Sequence, residues 1–297
     1  MTATALDDIL STRARLLVDD GHAPGVVAGA VSPEGGALFC HGRTALPDGP
    51  PQHAGALHEL GSVSKTFTGL LLAEMAARGE VGYDDPVAGY LPAHARPSGA
   101  AGRQVTLLDL ATHTAGLPRV PAHVYLAVLR SGNTDPYARY TAERLYRTTA
   151  RLRPRGHRGE FHYSNLGFGL LGQALANAGG STYPALLAAR VLTPLGMRGS
   201  TAEPSATADA ATGHRRGVPV AGWRFAALAG AGAVRSHGTD LLAYLDALVR
   251  PGETPIAEAL RAVQTPKHRR RNGDHICLAW FRREVDGIPL LWHEGAT

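Results

Sequence analysis

Glu59-Leu-Gly-Ser-Val-Ser-Lys-Thr-Phe-Thr-Gly69 runs directly into Leu70-Leu-Leu-Ala-Glu-Met75. This passage decides the fold, because its second half reads as a buried helix. Ser62 and Lys65 stand three apart where that helix begins. Three helical steps of about 100° return a side chain to within about 60° of its starting direction, so the hydroxyl and the amine share one face. A hydroxyl nucleophile needs a base so placed. The chain has 30 Lys+Arg, yet only Lys65 and Lys267 are lysines. Arginine does not deprotonate in proteins, whereas lysine can when burial lowers its pKa. An ordinary helix start, with a serine cap and a solvated lysine, uses the same letters, so other stretches must separate the two readings.

Working outward, 297 residues with 44% hydrophobic and 19% charged content describe a globular chain able to bury a sizeable core. The net charge of +5 is spread over many arginines. It implies solubility and a mild preference for anionic substrates, not a nucleic-acid footprint. Cys40 and Cys277 are too few for a disulfide framework. No basic and apolar leader opens the sequence, and no apolar run is long enough to span a bilayer. These features predict a cytoplasmic protein without nucleic-acid or membrane partners.

Upstream, an apolar pattern at Leu6, Ile9, Leu10, Leu16 and Leu17 predicts a first helix. Strands are expected over Gly25 to Val31 and Gly36 to His41, followed by a Pro- and Gly-rich loop that leads to Ser62. Gly79 closes the Ser62 helix. Between 80 and 219 the pattern turns helical: Val105 to Thr112, Ala122 to Arg130, Thr141 to Ala150, Leu166 to Ala178 and Tyr183 to Leu192. Downstream comes a helix over Leu241 to Val249. Strands over Ile276 to Val285 and Ile288 to His293 then flank Asp286-Gly287, a strong hairpin signal. The expected architecture is α/β (α+β): an antiparallel sheet lobe flanked by helices, 1–79 with 220–297, and an inserted helical lobe, 80–219, with the active site between them.

Two further motifs end in polar positions beside predicted elements: Tyr163-Ser-Asn165 just before a helix, and His293-Glu-Gly295 at the end of the last strand. Other signatures are weaker. Gly167-Phe-Gly-Leu-Leu-Gly172 has the letters of a dinucleotide fingerprint but lacks its preceding strand and βαβ unit, so it reads as helix packing by small residues. The 14 histidines show no ligand spacing, so no metal is expected. Gly61-Ser-Val-Ser64 does not fit the nucleophile elbow of α/β-hydrolases. Basic runs at 144–158 and 267–271 read as solvated surface.

Taken together and in this order, Ser62-Val-Ser-Lys65, Tyr163-Ser-Asn165 and His293-Glu-Gly295 resemble the three motifs of the serine β-lactamase and penicillin-binding-protein superfamily. The likeness is greatest to its class C β-lactamase, DD-peptidase and esterase branch. Val105 to Pro118, Pro194 to Ser200 and Gly232 to Ser236 add to it. The resemblance implies Ser62 as nucleophile, with Lys65 and Tyr163 sharing general-base and general-acid work. It implies Asn165, His293 and Gly295 as groups orienting the substrate, Asn165 also holding Lys65. The backbone N–H groups of Ser62 and Ala296 would form the oxyanion hole. No cofactor is implied.

His293 stands where class C β-lactamases usually carry lysine, and Glu294 where a small hydroxyl residue is common. Both favour a small ester or amide substrate, handled by an esterase, amidohydrolase or transacylase. The alternatives are a β-lactamase or D-Ala-D-Ala carboxypeptidase acting on a lactam or peptide, and a non-catalytic binding or assembly module of the same fold. In the branch, the third-motif strand is followed by further strands and a C-terminal helix. The resemblance therefore implies that a further C-terminal segment or a partner chain completes the sheet beyond Thr297.

Overall fold

The computed structural model describes residues 3–97, 104–122, 124–125, 135–153, 159–204 and 209–297. Helix α1 (Ala3–Asp19) packs on the antiparallel hairpin of β1 (Gly25–Ser32) and β2 (Gly35–Gly42). Strand β3 (His58–Glu59) precedes a 3₁₀ turn, Gly61–Val63, that feeds helix α2 (Ser64–Ala77). Every residue of α2 from Ser64 to Met75 is buried. A helix apolar on all sides belongs at the centre of a core, and Phe67, Leu70, Leu71, Leu72 and Met75 anchor this one. It stops as the sequence predicts. Gly79 takes φ +72, its N–H bonds the Ala76 carbonyl and that of Glu80 bonds Met75, the paired bonds of a glycine-terminated helix.

Helices α3 (Leu107–Ala111), α4 (Ala142–Ala150), α5 (Asn165–Ala178) and α6 (Tyr183–Leu187) follow. Three begin on threonine caps, at Thr106, Thr141 and Thr182, and α5 on Ser164. Each cap oxygen accepts an otherwise orphaned N–H. A π-turn, Ala188–Leu192, prolongs α6 to the predicted end. The helix expected over Ala122 to Arg130 and the basic run to Arg158 fall partly outside the described residues.

The glycines of α5 are packing devices, as the sequence reading assigned them. A methyl group on Gly169 would lie 2.2 Å from Leu228 Cδ2, and one on Gly172 would lie 3.0 Å from the Gly230 Cα. They let α5 close on the short helix α7 (Ala229–Gly232).

Three details depart from expectation. A small hairpin, β4 (Gly213–Arg215) with β5 (Val218–Val220), interrupts the helical stretch. Its strands are three residues each and β5 carries a proline, so they are too short for an alternating signature, although Arg216 and Gly217 at its turn both have positive φ. After β6 (Arg235–Ser236), α8 (Gly238–Val249), α9 (Ala257–Gln264) and β7 (His268–Arg269), the strand expected over Ile276 to Val285 divides in two. It becomes β8 (His275–Ile276) and β9 (Phe281–Val285). Between them Cys277 to Trp280 form a buried turn, with Ala279 at φ 71 and its N–H bonded to Ala111. The turn presses on α2 where Gly69 leaves room: a methyl there would lie 2.6 Å from the Leu278 carbonyl.

Third, the described strands form separate ladders and not one continuous sheet. β7 to β10 make a four-stranded antiparallel sheet that ends at β10 (Ile288–Trp292). β1 bonds only β2, and β10 bonds only β9. The Asp286-Gly287 turn joins β9 to β10 with positive φ at both residues, the geometry that matches strand twist. Ile288 is 68% exposed and Leu290 47%, as are Ile9 and Leu16 of α1 at 51% and 48%.

Candidate active site

The start of α2 brings together the residues singled out by the sequence. The Lys65 side chain is fully buried. Its Nζ lies 2.9 Å from Ser62 Oγ and donates to the Ala231 carbonyl at 2.7 Å. Burial first, and then the charge of Arg119, push its pKa well below the usual lysine value. That shift favours the neutral amine, whose lone pair can accept the Ser62 hydroxyl proton.

Tyr163 stands on the other side of this pair. The Lys65 Nζ lies 5.0 Å from the centre of its ring. Burial raises its pKa, while a hydrogen bond with Ser62 and the charge of Arg119 lower it. Burial thus displaces the two groups in opposite senses, the lysine toward its neutral amine and the tyrosine toward its protonated phenol.

Tyr163 is positioned by a residue whose part the sequence did not disclose. His113, buried and in the left-handed region at φ 61, lies 4.5 Å centroid to centroid from the tyrosine ring. Its Nδ1 accepts the Ser164 N–H at 3.0 Å, and its carbonyl accepts that of His162 at 2.7 Å. Both ends of the Tyr163 segment are therefore tied to one residue. The signal was present in Ala111-Thr-His113, which follows α3, but nothing in its spacing distinguishes a supporting imidazole from a core one.

Asn165 opens α5 beside them. Its Nδ2 donates to the Tyr137 hydroxyl at 3.3 Å, and its Oδ1 is buried without a partner. The Lys65 amine bonds Ser62 and the Ala231 carbonyl, whereas the Asn165 amide nitrogen is turned to Tyr137. Asn165 N–H bonds the Arg119 carbonyl at 2.8 Å, which holds the 118–120 loop to the helix start.

The third motif reaches the nucleophile by backbone contact. Gly61 has φ +50, and a methyl there would lie 2.5 Å from the Ala296 carbonyl. A methyl on Gly295 would lie 2.1 Å from the Leu60 carbonyl and 3.2 Å from the Ser62 nitrogen. Two glycines thus permit the His293 to Ala296 segment to lie against the Ser62 turn. His293 Nδ1 donates to the Glu294 carbonyl at 2.8 Å, which leaves Nε2 as the unprotonated nitrogen. Nε2 is buried without a partner. Burial, then Lys65, push the His293 pKa down to about 4.

These groups open on a cleft of about 890 Å³, lined by Ser62, Tyr163, Asn165 and His293 to Thr297. One aromatic cluster joins Tyr137, Trp223 and Phe225. Another joins Phe161, Phe281, Trp292 and His293. Apart from His293, the sequence does not mark these aromatics, because aromatic side chains at unconnected positions carry no spacing signal. Among the described residues, no grouping of three or more His, Cys, Asp or Glu could hold a metal ion.

A hydroxyl held by a buried amine, with a phenol beside it and a glycine-seated segment against its turn, is an arrangement with which serine acyl transfer is chemically feasible. The sequence model of the Beta-lactamase family matches residues 10–297, and the chain belongs to that family. Among solved structures, the class C beta lactamase from Rhodobacter sphaeroides superposes with a TM-score of 0.79 at 25% identity, covering 94% of this chain and 76% of that one. The D-alanyl-D-alanine-carboxypeptidase/endopeptidase AmpH of Escherichia coli K12 is 34% identical over 148 residues, 49% of this chain and 37% of that protein. A beta-lactamase of Pseudomonas fluorescens is 26% identical over 268 residues, 89% of this chain and 71% of its own length. The first curated relatives are thus spanned over little more than a third of their length.

Proposed function

We propose that this protein is a serine acyl-enzyme hydrolase or acyl transferase acting on a small ester or amide. The observation that carries the reading is the wholly buried Lys65 amine, 2.9 Å from Ser62 Oγ at the floor of an open cleft. Lys65 takes the Ser62 proton as Oγ bonds to the substrate carbonyl carbon. The oxyanion is met by the N–H groups of Ser62 and Ala296. Collapse expels the leaving group, which takes the Tyr163 hydroxyl proton, and the lysine ammonium returns a proton to the phenolate. Water or another acceptor then attacks the acyl-Ser62 ester, and the same groups run in reverse. Asn165, His293 and Gly295 orient the substrate. The cleft lies between a sheet lobe, 1–79 with 220–297, and a helical lobe, 80–219. Two free cysteines and described helices too short or polar to cross a membrane support a cytoplasmic location.

Incubation with 4-nitrophenyl acetate followed by intact-mass measurement tests this. An acetyl adduct is expected on Ser62 and not on Ser62→Ala; a folded protein that takes up no acetyl group refutes the reading. A second reading, β-lactamase or D-Ala-D-Ala carboxypeptidase, draws support from the relatives' names. Nitrocefin turnover or a stable penicilloyl adduct would favour it, whereas His293 in the third motif favours the ester or amide substrate. A non-catalytic module would be supported if Ser62→Ala left the biological activity intact.

A further inference from the structure

The cleft holds one cationic side chain that takes no proton and meets no reacting atom in the acyl-transfer steps. Arg119 lines it beside Val120, Tyr125, Tyr137 and Trp223. Its main chain is fixed, because its carbonyl accepts the N–H of Asn165 at 2.8 Å and of Leu166 at 3.3 Å. Its guanidinium carbon lies 5.4 Å from the centre of the Tyr163 ring, a cation–π distance that favours this placement over free solvation.

Arg270, the other arginine on the cleft, is already engaged. It lies 3.7 Å from Asp274 and stacks on Phe161 at 4.3 Å and Phe281 at 5.2 Å. Among the described residues, no carboxylate is within ion-pairing distance of Arg119. Glu294, the one carboxylate among the lining side chains, bears on Tyr163 without pairing to it. A planar guanidinium presents a fork of donors that matches a carboxylate at two points. Beside aromatic surface, where water is partly excluded, such a pair gains strength.

We propose that Arg119 is the specificity residue of this cleft and receives the carboxylate of an anionic acyl group, whose chain lies along Tyr137 and Trp223. The proposal rests on Ser62 being the acylated residue. The anion is held from the loop that buttresses Tyr163 and α5, apart from the His293 to Ala296 segment.

The test compares two esters of equal acyl length, the mono-4-nitrophenyl ester of glutaric acid and 4-nitrophenyl valerate, each at its own pH plateau. Wild type is expected to prefer the glutarate monoester in kcat/KM. Arg119→Gln should lower that preference ratio by about 10- to 100-fold, the size of one lost charged hydrogen bond, mainly through KM. Arg119→Lys should retain part of it. A ratio that is the same in wild type and Arg119→Gln overturns the proposal. A second arm needs no turnover: glutaric acid monoanilide is titrated calorimetrically into Ser62→Ala and into the Ser62→Ala, Arg119→Gln double variant. Binding to the first and about tenfold or greater weakening in the second supports the anion site. Equal binding to both folded proteins, or none to either, overturns it. If wild type fails to acylate on Ser62 while this binding difference persists, the enzymatic reading falls and the anion site stands.

Discussion

Lys65 occupies a place where an ammonium ion is disfavoured from several directions. Its side chain is fully buried, Arg119 adds a positive charge, and His113 and His293 share the same apolar surroundings. Arginine at this position would keep its charge, so Lys65→Arg should lower kcat/KM by about 10²- to 10⁴-fold, as far as Lys65→Met. Steady-state kinetics with 4-nitrophenyl acetate checks this, and near-normal turnover by Lys65→Arg would exclude the lysine as base. The pH dependence follows in sign. Activity should rise as Lys65 loses its proton and level off well below the usual lysine range. Removing the neighbouring charge in Arg119→Gln should move that acid limb to higher pH, because the ammonium form becomes less disfavoured. A limb that stays in place would show that Arg119 does not act on the amine.

The glycine seam between the Ser62 turn and the end of the β9–β10 hairpin is what turns two distant elements into one site. A methyl on Gly295 would lie 2.1 Å from the Leu60 carbonyl, and neither backbone can yield without moving the Ser62 nitrogen. Gly295→Ala should therefore lower kcat by about 100-fold, the cost of roughly an ångström of misplacement, while circular dichroism stays close to wild type. Full activity in this variant would mean that the segment is free to swing away. In the α5–α7 packing, Gly169→Ala puts a methyl 2.2 Å from Leu228 Cδ2. It should destabilise the fold by about 1–3 kcal/mol, read as a lowered urea midpoint. Legibility differs sharply among these elements. Asp286-Gly287 announced its hairpin and Gly79 its helix end, because each needs a backbone conformation few other residues accept. Cys277 to Trp280 looked like strand because burial, not alternation, set its composition. Its left-handed Ala279 is imposed by the contact with α2, which no local pattern encodes.

At the scale of the molecule, the three motifs far apart in the sequence converge on one cleft, and their residue types were enough to suggest that they would. The supporting residues were not legible. His113, Tyr137, Trp223 and Phe281 act through proximity that only the folded chain creates. Several histidines, buried wholly or in part, also give the whole protein an acid response. His293 has a folded pKa of about 4 against an ordinary value of 6.5, and His58 and His113 are displaced in the same direction by burial. Below about pH 6.5 the unfolded chain binds protons that the folded one refuses. Stability should therefore fall as pH drops from about 6.5 toward 4, with Tm falling in step, and His293→Gln should flatten part of that fall. A Tm that is level across this interval would contradict the neutral, buried state of these rings.

Helix α7 contributes four residues, Ala229–Gly232, and almost no side-chain atoms. Yet the Gly230 carbonyl receives the Thr68 hydroxyl, the Ala231 carbonyl receives the Lys65 amine, and two residues on the Val234 N–H finds the Ser64 oxygen. Helix α2, which carries Lys65, is thus fastened from behind by naked peptide groups. A saturation-mutagenesis map of the protein should consequently show one of its deepest troughs of tolerance at a stretch that does not line the cleft. There, the information under selection is the absence of a side chain.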